Sequence, residues 1–258
     1  MGYSVQIGGG GYAGWKMLER TAAVQQQLVA KDPEVVRARS YFVSEASRIS
    51  SADELVSDFR LLRVALGAFG LEGDINNKFF LRKIIEADPD DSGSLVNRLA
   101  DKRYLQLNRA LSFSGDTALD LEKASNITDM YERLEFERRV GEKDQNFRIA
   151  LYASRELADL AKRDSTENTK WYEILGSKPL RTLFEGAFGF SANYAKLPLD
   201  RQVIEFKRGF ARTVGGDSLA ALTDPKNIES LVQRFLLRSN SASIQISGFS
   251  AALALLRK

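Results

Sequence analysis

A chain of 258 residues, 44% hydrophobic and 28% charged, is long enough to bury a core without staples and too apolar to remain disordered. It contains no Cys and no His, which excludes disulfides, zinc–thiolate sites, cysteine nucleophiles and the side chain most used as general base or transition-metal ligand. Its 37 basic and 34 acidic residues are interspersed and net only +3, with no basic tract interleaved with aromatics of the kind that holds nucleic acid.

In chain order, the opening Met-Gly-Tyr-Ser-Val-Gln-Ile has neither the charged nor the apolar region of a secretory signal, so the expectation is synthesis in the cytoplasm without a cleaved signal. Ser4 to Ile7 alternate, and Gly9-Gly-Gly-Tyr-Ala-Gly14 then satisfies G-x-G-x-x-G ahead of a helix from Trp15. A dinucleotide turn needs a second buried strand ending in an acid, whereas the following segment is capped as a helix by Asp32 with Pro33 behind it. The glycines read as a flexible leader over residues 1–14, and no cofactor is expected.

Ser51-Ala-Asp-Glu54 is a capping box in which Ser51 caps and Glu54 reaches back. It opens a helix whose stripe, Leu55, Phe59, Leu62, Leu66 and Phe69, steps by three or four residues. Asp88-Pro-Asp-Asp-Ser-Gly93 resembles the start of a calcium loop, but the twelfth position, which must be a bidentate glutamate, is Leu99, so no metal is expected. Asn126 and Asp144 suit the caps of helices over about 127–140 and 145–163. The block from Tyr131 to Arg139 spaces opposite charges three and four apart and reads as a solvated helix face. Two further stripes follow, Val203, Phe206, Phe210 and Val214, then Ile228, Leu231, Val232, Phe235 and Leu236. Phe69, Phe80, Phe147, Leu151, Phe184, Phe206, Phe210 and Phe235 are expected in the core. No apolar run approaches the ~20 residues that span a bilayer.

An internal repeat is visible. Gly67-Ala-Phe-Gly-Leu71 matches Gly186-Ala-Phe-Gly-Phe190, and Ser94-Leu95 followed by Leu99-Ala-Asp echoes Ser218-Leu219 followed by Leu222-Thr-Asp. Gly70 and Gly189 suit left-handed helix ends, while Gly67 and Gly186 would let another helix approach closely. The fold expected is all-α, two tandem, diverged copies of a multi-helix unit with flexible or β-like termini: a first unit over 15–140, a second over 141–240 and an apolar tail over 241–258. The tail's Ser243-Ile-Gln-Ile-Ser247 nearly copies Ser4-Val-Gln-Ile-Gly8. Glycines on one side and Ser239-Asn-Ser-Ala-Ser243 on the other would uncouple both ends, leaving Val5, Ile7, Trp15, Ile244, Ile246, Phe249, Leu253 and Leu256 as candidate partner-binding residues.

Asp58-Phe-Arg-Leu-Leu-Arg63 through Ala68-Phe-Gly-Leu71, then Phe80-Leu-Arg-Lys-Ile84, Leu99-Ala-Asp-Lys-Arg-Tyr104 and Phe147-Arg-Ile-Ala-Leu151, follow one another in an order that resembles an alphaproteobacterial family catalogued as domain of unknown function twelve-seventeen. The resemblance covers about residues 24–240. Members are often encoded among flagellar genes, so it implies a role in flagellar structure, export or assembly; it brings no catalytic or binding residues. The expected function is a non-enzymatic flagellum-associated structural or assembly protein, with other flagellar or export proteins or a second copy as partners, no nucleic acid and no membrane span. The alternatives are a cytosolic chaperone or regulator of flagellar subunits and, behind it, an enzyme working without His or Cys. Association with the flagellum or export by the flagellar route is the expected location.

Overall fold

The computed structural model describes residues 2–111, 113 and 118–256, side chains at 192 and 241–256 excepted. Among the described residues the chain is all-α: thirteen helices and three 3₁₀ turns, with no strand. None of these helices is long and apolar enough to cross a membrane.

The chain forms two compact units, Met1–Gln6 with Thr21–Glu142, and Ile7–Arg20 with Lys143–Lys258. The expected leader over 1–14 is therefore shared out between the units, because Val5 and Trp15 are each 2% exposed and need a core to enter. Helix α1 (Gly11–Ala30) gives residues 21–30 to the first unit. That unit continues with α2 (Pro33–Ala46), α3 (Ala52–Ser57), α4 (Phe59–Gly67), α5 (Lys78–Glu86), α6 (Leu95–Arg98), α7 (Arg103–Leu111) and α8 (Leu121–Lys143). Helix α4 packs between α2 and α3, and α5 rests on α3 and α7. The second unit has α9 (Gln145–Lys162), α10 (Glu167–Gly176), α11 (Lys178–Phe188), α12 (Leu199–Val214) and α13 (Pro225–Leu256), with α11 at its centre against the other four.

Local chemistry sets these boundaries. Asp32 caps α2 by accepting the Glu34 amide, and Pro33 occupies a first-turn position where no N–H is needed. Ser51 accepts the Glu54 amide (3.3 Å), and Glu54 reaches back to the Ser50 amide (2.7 Å), one residue earlier than the box predicts. The single helix expected from Leu55 to Phe69 is two helices. Asp58 takes an extended conformation, ends α3 and caps α4 by accepting the Arg60 and Leu61 amides, so Phe59 leaves the stripe and stands 56% exposed. Asp144 caps α9 as expected, whereas Asn126 lies inside α8, which begins five residues earlier at Leu121 with Asp120 accepting the Glu122 amide. Of the expected core, Phe80 and Leu151 are only half-buried; Phe69, Phe147, Phe184, Phe206, Phe210 and Phe235 are buried.

The two Gly-Ala-Phe-Gly segments have the same geometry. Gly70 and Gly189 are left-handed, with φ of 66° and 73°. After each, the next amide closes the helix end over five residues: Leu71 N–H to Leu66 O and Phe190 N–H to Glu185 O, both 2.9 Å. The leading glycines face aromatic rings on a long helix: a Cβ on Gly67 would lie 2.8 Å from the Tyr131 ring of α8, and one on Gly186 would lie 2.6 Å from the Phe235 ring of α13. Arg103 of α7, with Leu134 of α8 behind it, stands against Gly70, and Arg238 of α13 against Gly189. Helices α4 and α11 are thus alike at their C-terminal ends, each with a glycine that faces an aromatic ring of a longer helix. The caps agree, since Asp58 and Ser177 each end one helix and open the next.

The tail departs from its expected form. Ser239 to Ser243 do not break the chain; α13 runs through them to Leu256. The Ile244–Ile246 alternation was a poor guide beside the helical spacing of Ile246, Phe249, Leu253 and Leu256, which steps by three and four. The side chains of Ile244, Ile246, Phe249, Leu253 and Leu256 lie outside the described residues.

Gly67→Ala and Gly186→Ala should each cost about 1–3 kcal/mol, because a ring held in a packed core has to move aside. Gly73→Ala, where a Cβ meets nothing within 4 Å, should stay within about 0.5 kcal/mol of the parent. Urea denaturation of the three variants checks this; equal stabilities would mean that the close approaches carry no load.

Candidate functional site

Residues 2–6 lie on the first unit with side chains that alternate in burial: Tyr3 is half-buried, Val5 buried, and Gly2, Ser4 and Gln6 exposed. The period of two that suggested a strand is present, yet no strand forms, because side chains and not another backbone satisfy the segment's amides. Three side chains do this. Asp32, at the start of α2, accepts the Tyr3 amide (2.6 Å). Arg139, on α8, donates to the Tyr3 carbonyl (2.8 Å). Gln25, on α1, accepts the Gln6 amide (2.7 Å) and donates to the Gln6 carbonyl (2.8 Å). Residues 3 and 6 thus each have both main-chain groups paired, which is what a neighbouring strand would provide.

The receptor is held rigid from behind. Arg139 bonds Asp32 (2.7 Å) through the nitrogen that reaches the Tyr3 carbonyl, and its Nε holds Glu135 (2.8 Å). Glu135 also takes two bonds from Arg138, which reaches on to Glu142. Gln25 is fixed by donating to Thr21 (2.8 Å) and receives the Tyr3 hydroxyl (3.2 Å). Asp32, Gln25, Glu135 and Arg139 are all buried. The charged block of α8 is therefore not the solvated face that its spacing suggested; Glu135, Glu137 and Arg139 point inward, and the first and last are neutralised by partners. Burial by itself would raise the Asp32 carboxyl, but bonds from Arg139 and from the Glu34 and Tyr3 amides overrule it and hold the group at about 2. Burial likewise opposes ionisation of Glu135, and Arg138 and Arg139 hold that carboxyl below its usual range.

Of the residues expected to wait for a partner, Val5 and Trp15 are covered by this chain and Ile7 is half-buried. Trp15 belongs to the second unit, edge-on to Phe147 at 6.0 Å. It lines a cleft of about 380 Å³ with Glu19, Lys162, Ile228, Glu229 and Val232. Glu229 there accepts Lys16 (2.9 Å) and the Tyr12 hydroxyl (3.1 Å). Gly67, Gly70, Gly186 and Gly189, with Ser51 and Glu54, serve helix geometry. In the calcium-like loop, Asp88 and Asp91 bond the loop's own Asp90 and Gly93 amides, and Asn97 ties its side-chain amide to the Pro89 and Asp91 carbonyls. Asp32, Gln25, Glu135 and Arg139 were missed as a group. Asp32 read only as a cap, and nothing in the local spacing connects positions 25, 32 and 139.

Residues 68–228 match a family model described as "Protein of unknown function (DUF1217)". An X-ray crystal structure of a protein from Agrobacterium tumefaciens is similar in fold: TM-score 0.70, 24% identity, 88% of this chain and 91% of that one covered. No curated protein matches the sequence.

With its carboxyl at about 2 in the folded chain against 3.8 ordinarily, Asp32 contributes stability that is complete above pH 4 and is lost as pH falls toward 2. The size is roughly 2–3 kcal/mol. Asp32→Asn should remove about that much at neutral pH and flatten the stability profile between pH 4 and pH 2. Chemical denaturation across that range checks both, and an unchanged acid limb in the variant would show that another carboxylate governs it.

Proposed function

This chain belongs to the DUF1217 family, and we propose that it is a flagellum-associated protein that acts by holding extended polypeptide and catalyses no reaction. The observation that carries the reading is the receptor built by Asp32, Arg139 and Gln25, whose hydrogen bonds to residues 2–6 fall chiefly on main-chain groups. Strand-type recognition takes affinity from main-chain bonds and selectivity from alternate side-chain pockets, and the buried Val5 fills such a pocket. The flagellar setting rests on the family resemblance drawn from the ordered motifs between residues 58 and 151.

A second reading, a cytosolic chaperone of flagellar subunits, draws on the same groove. A receptor for main chain tolerates varied side chains at the outward positions 4 and 6, as an escort of unassembled subunits requires.

Fractionating cells that carry a tagged chain separates the two readings. A flagellar component is expected to copurify with detached flagella, and its deletion to impair swimming. A chaperone is expected to stay in the cytosol bound to unassembled subunits. Normal swimming of the deletion strain, with the protein neither on flagella nor bound to flagellar subunits, would contradict both.

A further inference from the structure

We infer that the groove formed by α1, α2 and α8 takes residues 2–6 of a second copy of this chain, so that copies can be linked by exchanging this segment. The inference rests on reading the groove as a peptide receptor. What it adds is the identity of the occupant.

The groove specifies a sequence. A Cβ at Gly2 would lie 2.9 Å from Asp32 Oδ2, an oxygen that cannot step aside because Arg139 and the Tyr3 amide hold it. The first position therefore requires glycine. The second supplies a main-chain N–H and C=O together with a hydroxyl that reaches Gln25. The fourth is a buried branched residue, Val5, and the fifth gives both main-chain groups to Gln25. The resulting pattern is Gly-Tyr-x-Val-x. The near copy at the other end of the chain fails it. Aligning Ile244 with Val5 puts Ser241 at the glycine position and Ala242 where the tyrosine hydroxyl is needed. Of the two Ser-[Val/Ile]-Gln-Ile segments, the groove accepts only the first.

The linker permits exchange. Residues 8–11 are four glycines, and Gly8, Gly9 and Gly11 have φ of 64°, 125° and 70°, a compact course that costs glycine little steric energy but much chain entropy. A Cβ on Gly9 or Gly10 would meet nothing within 4 Å, whereas one on Gly8 would meet Met17 and one on Gly11 would meet Asn240, so exchange has to release the two ends of the stretch while its middle is already open. Straightened, the three glycines ahead of α1 span roughly 10 Å. Every contact of the segment is available unchanged from a second copy, the condition under which swapping an element is a low-cost route to association. A tether of this length holds its own segment at an effective concentration in the millimolar range. Self-occupancy therefore prevails in dilute solution, and exchange emerges where copies are packed at comparable density.

Two full-length variants test this by removing the competition. One carries Val5→Asp and keeps the groove; the other carries Gln25→Ala and keeps the segment. Sedimentation of each alone should show monomer, and of the mixture a heterodimer at least ten times tighter than any self-association of the unaltered chain. Cooperative melting of both variants establishes that they are folded. A mixture of folded variants that stays monomeric overturns the exchange. A synthetic peptide of residues 2–7, with one of residues 241–246 as control, is titrated into the Val5→Asp variant and followed by NMR at Gln25. Binding of the first alone, with no heterodimer, removes exchange and leaves the groove. Binding of neither removes both readings, and equal binding of the two removes the specificity on which the inference stands.

Discussion

The Asp32 carboxylate lies at the start of α2 with one oxygen given to the helix it caps and the other shared between Arg139 and the Tyr3 amide. Buried and charged, it is tolerable only while those donors stay in place. Arg139 is subject to the same constraint, which Asp32, Glu135 and the Tyr3 carbonyl meet together. The start of α2, one face of α8 and the course of residues 2–6 are therefore a single hydrogen-bonded unit. Removing the segment would strip one donor from a buried carboxylate and one acceptor from a buried guanidinium. That need makes the groove a receptor and not a passive crease.

Each unit's helices take their places from a second constraint, the absence of a side chain at Gly67 and Gly186. Tyr131 and Phe235 lie where any Cβ would stand, so their rings rest on α4 and α11 more closely than Ala would allow. The left-handed Gly70 and Gly189 then turn the chain so that the following amide closes the helix end. In the second unit this brings Phe184 of α11 into a cluster with Trp171, Phe206 and Phe210. In the first, α4 buries Leu62, Val64 and Leu66 and meets the Tyr131 ring at Gly67. The left-handed glycine ends recur in both units while the core residues beside them differ, so the glycines announce the repeat and the core residues do not.

That difference also marks what the sequence made legible. Caps at Asp32, Ser51 and Asp144 and the glycine ends could be read because each is fixed by chemistry within four residues. Phe59 could not be placed by periodicity alone, since Asp58 restarts the helix and shifts its face. The α8 charges were misread because pairing at three and four residues looks the same on a wet face and a buried one. What separates the cases is Asp32, 107 positions away from Arg139. The alternation at Ser4 to Ile7 carried true information about burial, but its partners are side chains and lie in no sheet. The same alternation at Ser243 to Ser247 is overruled by the helix through which it runs.

The claim that most of this account depends on is that residues 2–6 are clamped through their main chain. Amide hydrogen exchange reads it at single residues. The Tyr3 and Gln6 amides, bonded to buried Asp32 and Gln25, should exchange on the order of a hundredfold more slowly than those of Gly9 and Gly10, and the Tyr3 protection should fall in Asp32→Asn. Exchange at Tyr3 and Gln6 as fast as at the glycines would contradict the account, because a segment free to exchange at that rate cannot be what completes the buried Asp32–Arg139 pair.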